Sequence, residues 1–252
     1  MNLKVKLISY SAESEKIITA AGKLCYSSVD IDSMMDDIDE ESADYFVDML
    51  IGLGHESVIE HTSYTFAVEG LSRATLAQLT RHRIASFSVQ SQRYVNMSDF
   101  KYVIPPSVSE NAGALAAFEE LIAAANEKYD IISEYLQKDN FEKLTAGKQN
   151  LSEREFKEYS KQAAKLANED ARFILPMACE TKIIMTMNAR ALYNFFKLRT
   201  CERAQWEIRE LAERMLELLK EVSPTLFKKA GPPCVYSGRC SEGKMSCGKK
   251  IK

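Results

Sequence analysis

The sequence contains few histidines and no long apolar run. Its 252 residues include 3 His, 1 Trp, 6 Pro and 10 Gly. No stretch approaches the roughly 18 consecutive apolar residues that a membrane-spanning helix needs. The opening segment MNLKVKLISY alternates polar and apolar residues and lacks the apolar core of a signal peptide. The sequence therefore predicts a cytoplasmic protein without membrane segments.

The cysteines form no closely spaced pair. They stand at positions 25, 179, 201, 234, 240 and 247, and without an export signal we expect cytosolic thiols rather than a disulfide framework. Cys234, Cys240 and Cys247 are separated by five and six residues and have no neighbouring histidine. We therefore expect no metal site, with zinc as the alternative. The Gly-, Ser- and Lys-rich segment 231–252 is predicted to be a mobile tail after a single domain, 1–230.

The pattern of apolar residues predicts an α+β fold. Alternation predicts strands at 3–7, 64–68 and 181–187 and an extended stretch at 102–104, and helical periodicity predicts helices at 13–25, 41–53, 72–83, 110–138, 152–174, 190–199 and 203–222. Gly54 suits a helix C-cap and Asn188 an N-cap. The order is not a strict βαβ alternation and contains no GxGxxG motif, which excludes a Rossmann fold. We expect a mixed or antiparallel sheet flanked by helices.

One short segment concentrates positive charge in a chain of formal net charge -3. Residues 78–94, QLTRHRIASFSVQSQRY, contain Arg81, His82, Arg83 and Arg93 among hydroxyl and amide side chains. Guanidinium groups bind phosphate in a bidentate manner, so the segment predicts a phosphate site. The alternative is that the Arg-His-Arg triplet only complements the dipole at a helix C-terminus.

The triplet, seven intervening residues and Ser91, followed by Arg93-Tyr94, resemble the signature of flavin-dependent thymidylate synthases, the ThyX family. Further motifs follow in that family's order and spacing across residues 45–95 and 170–227. They are His55-Glu56-Ser57, Glu60-His61, Asn188-Ala189-Arg190, Asn194, Leu198-Arg199 and Ala204-Gln205-Trp206-Glu207.

The resemblance implies a methyltransferase that converts dUMP to dTMP in nucleotide biosynthesis. It implies FAD as cofactor, NADPH as its reductant and methylenetetrahydrofolate as carbon donor, released as tetrahydrofolate. It also implies a homotetramer with active sites shared between subunits. Arg199 matches the arginine that activates the uracil at N3, and His55 matches a histidine whose ring lies near the folate. No cysteine nucleophile is expected.

The resemblance also implies two sets of binding residues. For FAD they are Ser57, Arg81, His82, Arg83, Ile84, Asn188, Arg190 and Asn194. For dUMP they are Gln78, Arg81, Ser91, Gln92, Arg93, Arg172 and Arg199. Two positions depart from the family pattern: Val89 replaces a frequent glutamate, and Arg203 replaces a histidine found in some members.

Simpler roles remain open for several of these residues. His55 could satisfy local backbone groups, Arg172 could be a helix-surface residue, Ser91 a turn former and Asn188 only a cap. At the level of function, the alternatives are an FAD/NADPH oxidoreductase without methyl transfer and a basic nucleic-acid-binding module. The net negative charge and the absence of a nucleic-acid-binding motif argue against the second.

Overall fold

The computed structural model describes residues 2–248, and it divides into two compact units. The sheet unit comprises residues 2–69, 75–88 and 183–248, and the helical unit comprises residues 70–74 and 89–182. Residues 249–252 of the predicted tail lie outside the described residues. The prediction of a single domain, 1–230, stays a prediction.

Four strands form one sheet in the order β1-β2-β4-β3. They are β1 (Lys4–Tyr10), β2 (Ser63–Ser72), β3 (Ala85–Val89) and β4 (Glu180–Asn188). β1 runs antiparallel to β2, with Val5 opposite Val68 and an irregularity between Leu7 and Ser9. Alternate residues of β2 and β4 are buried, as expected of strands with one face on a core.

The helices of the described residues start, in most cases, at a residue whose side chain caps them. They are α1 (Ser14–Leu24), α2 (Ile31–Asp36), α3 (Glu40–Leu53), α4 (Arg73–Leu79), α5 (Pro106–Ser109), α6 (Ala112–Thr145), α7 (Glu153–Ala171), α8 (Ala189–Arg199), α9 (Trp206–Val222), α10 (Pro224–Phe227) and α11 (Pro233–Ser237). Gly54 ends α3 in the left-handed conformation at φ 76°, and the Asn188 side chain accepts a hydrogen bond from the Ala191 N–H at the start of α8. Both predicted caps are confirmed.

The core of the sheet unit is aromatic. Its fully buried rings are Tyr64, Phe66, Phe195, Phe196 and Phe227. The Tyr64 hydroxyl lies 2.9 Å from the hydroxyls of both Ser14 and Ser223, so its polar atom is satisfied inside the core. Phe227 contacts the rings of both Tyr64 in β2 and Phe196 in α8, so the two elements share one core. α8 ends at Arg199, a residue of the candidate site.

The helical unit is built on the long helices α6 and α7, which pack against each other. Ser152 and Glu155 form a capping box at the start of α7. A cluster of buried residues includes Met97, Phe100 and Ile122, and the buried Tyr129 hydroxyl accepts a hydrogen bond from the Met97 N–H at 3.1 Å. No helix within residues 2–248 is long and apolar enough to cross a membrane.

The predicted α+β class is confirmed, but several boundaries differ. The helix predicted to end in the Arg-His-Arg triplet ends at Leu79, and the triplet lies in the turn after it. The hydroxyl-rich segment that follows contains the strand β3, which the prediction missed. Ser86 and Ser88 alternate with apolar residues as in a strand, but both serines also fit a phosphate site. The predicted helix 203–222 starts at Trp206, because Gln205 acts as its N-cap.

Candidate functional site

Arg199 and His82 form the centre of the candidate site in the sheet unit. Arg199 is the last residue of α8, and its Nε donates a hydrogen bond of 3.0 Å to Nε2 of His82. The His82 ring is 9% exposed and packs edge-on against Phe195, with ring centroids 4.9 Å apart. Because His82 Nε2 accepts a hydrogen bond, the neutral ring must carry its proton on Nδ1. His82 therefore fixes the direction of the Arg199 guanidinium.

The electrostatics of this pair keep His82 neutral. Burial and the neighbouring Arg199 lower the pKa of His82 to about 4. Burial and the nearby Arg81 also lower the pKa of Arg199, although an arginine stays charged. The sequence grouped His82 with Arg81 and Arg83 as cations, but the structure makes it a neutral acceptor for an arginine.

Arg81 and Arg199 are neighbouring cations without acidic partners. Within residues 2–248, no carboxylate lies at salt-bridge distance from either guanidinium. Two like charges that share a site repel each other, and an anion between them relieves this repulsion. The helix-dipole alternative for the triplet loses support, because Arg81 to Arg83 lie beyond the end of α4 at Leu79. The arrangement is suited to an anionic group.

Ile84, directly after the triplet, has an unusual backbone conformation. Its φ is 62°, and its side chain is 76% exposed. A β-branched residue is strained in the left-handed region, and such strain occurs mainly where a functional segment needs an unusual chain direction. The turn at Ile84 leads from the buried His82 into β3 and leaves Arg83 exposed. This geometry supports a binding role for the backbone of the turn.

A second part of the candidate site is a cavity of about 340 Å³ beside α8. Its lining consists of Glu56, Arg190, Tyr193, Asn194, Lys197, Gly231 and Tyr236. Arg190 and Asn194 therefore share a face, as their spacing predicts. Arg190 is held by two carboxylates: it forms a short ion pair with Glu60, and its Nε lies 3.6 Å from Glu56 Oε2. An anionic ligand at Arg190 would have to compete with these glutamates.

Three further residues of the predicted FAD and folate set are His55, Ser57 and Asn188. His55 and Ser57 are exposed, directly after the Gly54 cap, and Ser57 begins a short 3-10 helix, Val58–His61. The side chain of Asn188 is used as the α8 cap. The structure thus gives Asn188 the simpler role that the sequence allowed. The exposed His55 imidazole has no hydrogen bond or ion pair within residues 2–248.

The predicted dUMP residues are divided between the two units. Gln78, Arg81 and Arg199 belong to the sheet unit, and Ser91, Gln92, Arg93 and Arg172 belong to the helical unit.

Within the helical unit, Arg93 and Arg172 both contact Glu169. Arg93 Nη2 lies 2.8 Å from Glu169 Oε2, and Arg172 Nε donates to the Glu169 carbonyl at 3.1 Å. Arg93 Nε is buried and has no hydrogen-bond partner among the described residues. An unpaired buried donor on a guanidinium is costly unless a ligand satisfies it. Ser91 accepts from the Arg93 N–H at 3.2 Å, so it also shapes the local turn.

Several residues of the site could not be recognised from local sequence. Glu56 and Glu60 lie in the motifs of the resemblance, but pairing with Arg190 was not anticipated. Lys197 and Tyr236 line the cavity, but no sequence motif marked them as binding residues. The only indication for Lys197 is that it lies one helical turn after Asn194. Arg203, where some family members have histidine, forms an ion pair of 2.9 Å with Glu242.

The depressed pKa of His82 leads to a prediction about stability. An unfolded histidine has a pKa of about 6.5. As the pH falls from 6.5 towards 4, the unfolded chain takes up a proton at His82 that the folded chain does not, so protonation favours unfolding. At pH 4 this difference in proton uptake lowers the free energy of unfolding by about 3 kcal/mol. Urea unfolding at pH 7 and pH 4.5 should show a smaller loss of stability in His82→Gln than in the unaltered protein.

The amide of glutamine retains an acceptor for Arg199 but does not titrate, so His82→Gln isolates the proton. Carboxylates elsewhere titrate equally in both proteins and cancel in the comparison. Equal losses of stability in the two proteins would show that His82 is protonated in the folded state.

Comparison with known proteins extends the resemblance over nearly the whole chain. Residues 6–225 match the family model of the thymidylate synthase complementing protein. The flavin-dependent thymidylate synthase of Clostridium tetani is 49% identical over 249 residues, covering 99% of this chain and 94% of the relative. That of Geobacter sulfurreducens is 43% identical over 249 residues, covering 98% and 94%.

A solved structure has a similar fold. It is thymidylate synthase X from Helicobacter pylori with FAD and dUMP, which superposes with a TM-score of 0.58 at 23% identity and covers 90% of this chain and 98% of that chain. At this identity the likeness concerns the fold alone.

The fold and the site define an α+β protein with a preorganised cluster of unpaired arginines. The matches over nearly the full length make the assignment more specific. The chain belongs to the family of flavin-dependent thymidylate synthases, which are methyltransferases. The resemblance read from the Arg-His-Arg triplet and its companion motifs is confirmed.

Proposed function

We propose that this protein methylates dUMP to dTMP in the cytoplasm, with methylenetetrahydrofolate as carbon donor and NADPH as the source of reducing equivalents. The observation that carries the proposal is that two neighbouring arginines, Arg81 and Arg199, have no acidic partner within residues 2–248. The buried, neutral His82 orients the Arg199 guanidinium. A uracil nucleotide offers both a phosphate and a ring that can become anionic. The family membership supplies the reaction class.

Arg199 is the residue we assign to uracil activation. Its guanidinium is fixed at Nε by His82, which leaves the remaining N–H donors for the substrate. A cation beside N3 of the uracil favours loss of the N3 proton, and the resulting anion enriches C5 in electrons. C5 then acts as the nucleophile towards the one-carbon unit, so no enzyme thiolate has to attack C6.

The other predicted nucleotide residues are assigned to binding and orientation. Arg81 is exposed and close enough to Arg199 to lower its pKa, so one nucleotide can meet both charges. In the helical unit, the unpaired Arg93 Nε supports a role as a phosphate donor, and Gln92 and Arg172 accompany it. Ser91 orients the Arg93 backbone and is assigned a hydroxyl contact.

The residues beside α8 fit part of a flavin dinucleotide. Arg190 and Asn194 line the cavity from one face of α8, with Lys197 one turn further. Arg190 uses Nε and Nη1 for Glu56 and Glu60, which leaves donors for a diphosphate. When bound and reduced, FAD supplies the hydride of the reaction. Ser57 and the turn of Arg83 and Ile84 are assigned to the same cofactor, and the exposed His55 ring is assigned to stacking on the folate.

We further propose a homotetramer with sites completed by neighbouring subunits. A chain of 252 residues has to surround FAD, dUMP and a folate, and closed symmetric assemblies are the usual way to enlarge a site. Light scattering should give the mass of about four chains. Mixing inactive His55→Ala with inactive Arg199→Ala should restore activity if the subunits exchange, and a stable monomer would contradict the proposal.

The decisive experiment is an assay for dTMP with purified protein. Incubation with dUMP, methylenetetrahydrofolate, NADPH and FAD should yield dTMP and tetrahydrofolate, and omission of any one component should abolish the product. NADPH oxidation that is independent of dUMP and forms no dTMP would instead indicate an oxidoreductase without methyl transfer.

A further inference from the structure

The segment after α10 forms one wall of the cavity beside α8. Residues 231–248, the tail segment, include α11 and a short 3-10 helix, so this part of the predicted tail has local structure. The match to the family model ends at residue 225, before the tail segment begins. Gly231 and Tyr236 nevertheless line the cavity, opposite residues of α8. The motifs of the family therefore do not account for the whole cavity.

Two contacts hold the tail segment beside the cavity. A Cβ added to Gly231 would lie 3.7 Å from Thr200 Oγ1, so the start of the segment passes close to the turn after α8. Further along, Arg203 Nη1 lies 2.9 Å from Glu242 Oε2. Tyr236 lies between these two contacts along the chain, so the part of the segment that includes it is held on both sides.

The backbone at the start of the tail segment directs the chain towards the cavity. Gly231 is buried and has a φ of 138°, a conformation that residues with a side chain rarely adopt. Pro232 and Pro233 follow, and their rings fix φ where α11 begins. Tyr236 lies on α11, so local geometry alone places its ring at the cavity and no movement of the segment is required.

Tyr236 presents an aromatic ring that a ligand can reach. Its side chain is exposed and forms no hydrogen bond within the part of the chain that the structure describes. The other tyrosine of the lining, Tyr193, is engaged: its hydroxyl donates to the Leu226 carbonyl, and its ring stacks on Phe227 with centroids 5.9 Å apart. An accessible ring at a cavity wall is suited to stacking on a planar ligand.

Lys197 supplies a positive charge that no carboxylate neutralises. Within residues 2–248, no Asp or Glu lies at salt-bridge distance from its ammonium group. Arg190, in contrast, is paired with Glu56 and Glu60. The helix dipole alone explains a lysine in the last turn of α8, but it does not explain why that lysine lines a cavity beside the amide of Asn194. The lining thus offers a cation, an amide and an aromatic ring.

This set of groups suits a nucleotide. A lysine ammonium binds phosphate as a point charge, an asparagine amide both donates and accepts, and a tyrosine ring stacks on a base. The cavity of about 340 Å³ lies at the lower end of the range for small-molecule sites, so it accommodates part of a dinucleotide. The group that combines phosphate with a base in both FAD and NADPH is adenosine diphosphate.

The carboxylate of Glu56 favours FAD over NADPH. Glu56 lines the cavity, and a carboxylate accepts a hydrogen bond from a free ribose hydroxyl. The adenosine of FAD has that hydroxyl, whereas the adenosine of NADPH has a phosphate in its place. A phosphate beside Glu56 would be repelled by the like charge.

We propose that the cavity beside α8 binds the adenosine diphosphate half of FAD, with Lys197 on a phosphate and the ring of Tyr236 stacked on the adenine. The inference rests on the proposed function, because it takes FAD as the cofactor. It adds a binding residue from outside the region that the family model matches. It also divides the cofactor site, because the turn of Arg83 and Ile84 is then left for the flavin half.

The test compares FAD with FMN, which lacks the adenosine half. Full-length apoprotein is titrated with each flavin and followed by flavin fluorescence. Tyr236→Ala should weaken FAD binding about tenfold and change FMN binding less than about twofold. Tyr236→Phe keeps the ring and should retain the FAD affinity. ADP should displace FAD from the unaltered protein, and about tenfold more ADP should be needed in Tyr236→Ala.

Lys197→Ala tests the phosphate contact and should weaken the binding of both FAD and ADP about tenfold. Lys220→Ala is its matched control, since Lys220 is also an exposed lysine in the last turn of a helix, α9. Tyr26→Ala is the control for Tyr236, because Tyr26 is an exposed tyrosine that lines a different cavity. Both controls should leave the FAD affinity unchanged.

Four results would overturn the proposal. They are equal FAD affinity in Tyr236→Ala and Tyr26→Ala, failure of ADP to displace FAD, equal losses of FAD and FMN affinity in Tyr236→Ala, and weaker NADPH binding in Tyr236→Ala at unchanged FAD affinity. The third result would make Tyr236 a structural support, and the fourth would assign the cavity to the reductant.

Failure of this inference and failure of the proposed function are distinguishable, because none of these measurements forms dTMP. A protein that makes dTMP but binds FAD equally in both tyrosine variants would refute the inference alone. FAD binding that depends on Tyr236, without any formation of dTMP, would refute the proposed function alone.

Discussion

Replacing Arg199 by alanine is expected to abolish most dTMP formation without unfolding the protein. Arg199 is half-buried at the end of α8 and is held by His82, so its loss removes a fixed cation from the substrate. Loss of one preorganised charge-stabilising group typically lowers turnover by about a hundred- to thousandfold, and we expect the upper end, about 4 kcal/mol of barrier. Single-turnover formation of dTMP measures the effect on the chemical step.

Arg199→Lys provides a graded comparison. Lysine keeps the charge but cannot reproduce the Nε bond to His82 together with donors for the uracil, so we expect an intermediate rate. A rate of Arg199→Ala within about tenfold of the unaltered protein would contradict the assignment.

Cys201→Ala tests the competing mechanism in which a thiolate attacks the uracil. Cys201 is two residues after Arg199, whereas burial raises the pKa of Cys179 to about 11 and keeps that thiol protonated. We expect Cys201→Ala to form dTMP, because activation is assigned to Arg199. A loss beyond about a thousandfold in a folded variant, with a trapped uracil-cysteine adduct seen by mass spectrometry, would establish the thiolate mechanism.

Replacing Arg190 by alanine is expected to weaken FAD binding about ten- to hundredfold. The substitution removes a donor for the diphosphate and also leaves Glu56 and Glu60 without their cation, so two carboxylates then repel the ligand. Titration of the apoprotein, followed by flavin fluorescence, measures the affinity. The variant should remain folded because Arg190 is on the surface of α8.

Two controls separate the charge effect from other causes. Arg154→Ala removes an arginine that also pairs with a glutamate, on α7 with 88% of its side chain exposed, and should leave FAD affinity unchanged. Glu60→Gln frees Arg190 from one competitor and should leave the affinity unchanged or raise it. Tight FAD binding by Arg190→Ala would move the diphosphate site away from α8.

Much of the fold could be predicted from local sequence because short-range forces decide it. Alternation identified β1, β2 and β4, helical periodicity identified α1, α3 and α6 to α9, and the caps at Gly54 and Asn188 fixed two helix ends. The short strand β3 was missed although its serines alternate with apolar residues, because hydroxyl groups beside the arginines fit a phosphate site equally well. α4 was predicted too long, because nothing in the polar triplet signals that a helix stops before it.

The sequence alone determined the family, since a set of motifs in fixed order reports common ancestry, and it determined which segment concentrates arginines. Only the tertiary structure decided what each charge does. The neutral His82 accepts a hydrogen bond from Arg199, which is 117 residues away in sequence. Glu60 forms an ion pair with Arg190, which is 130 residues away in sequence. Burial and pairing set the charge and direction of a side chain, and both depend on chain segments that are distant in sequence.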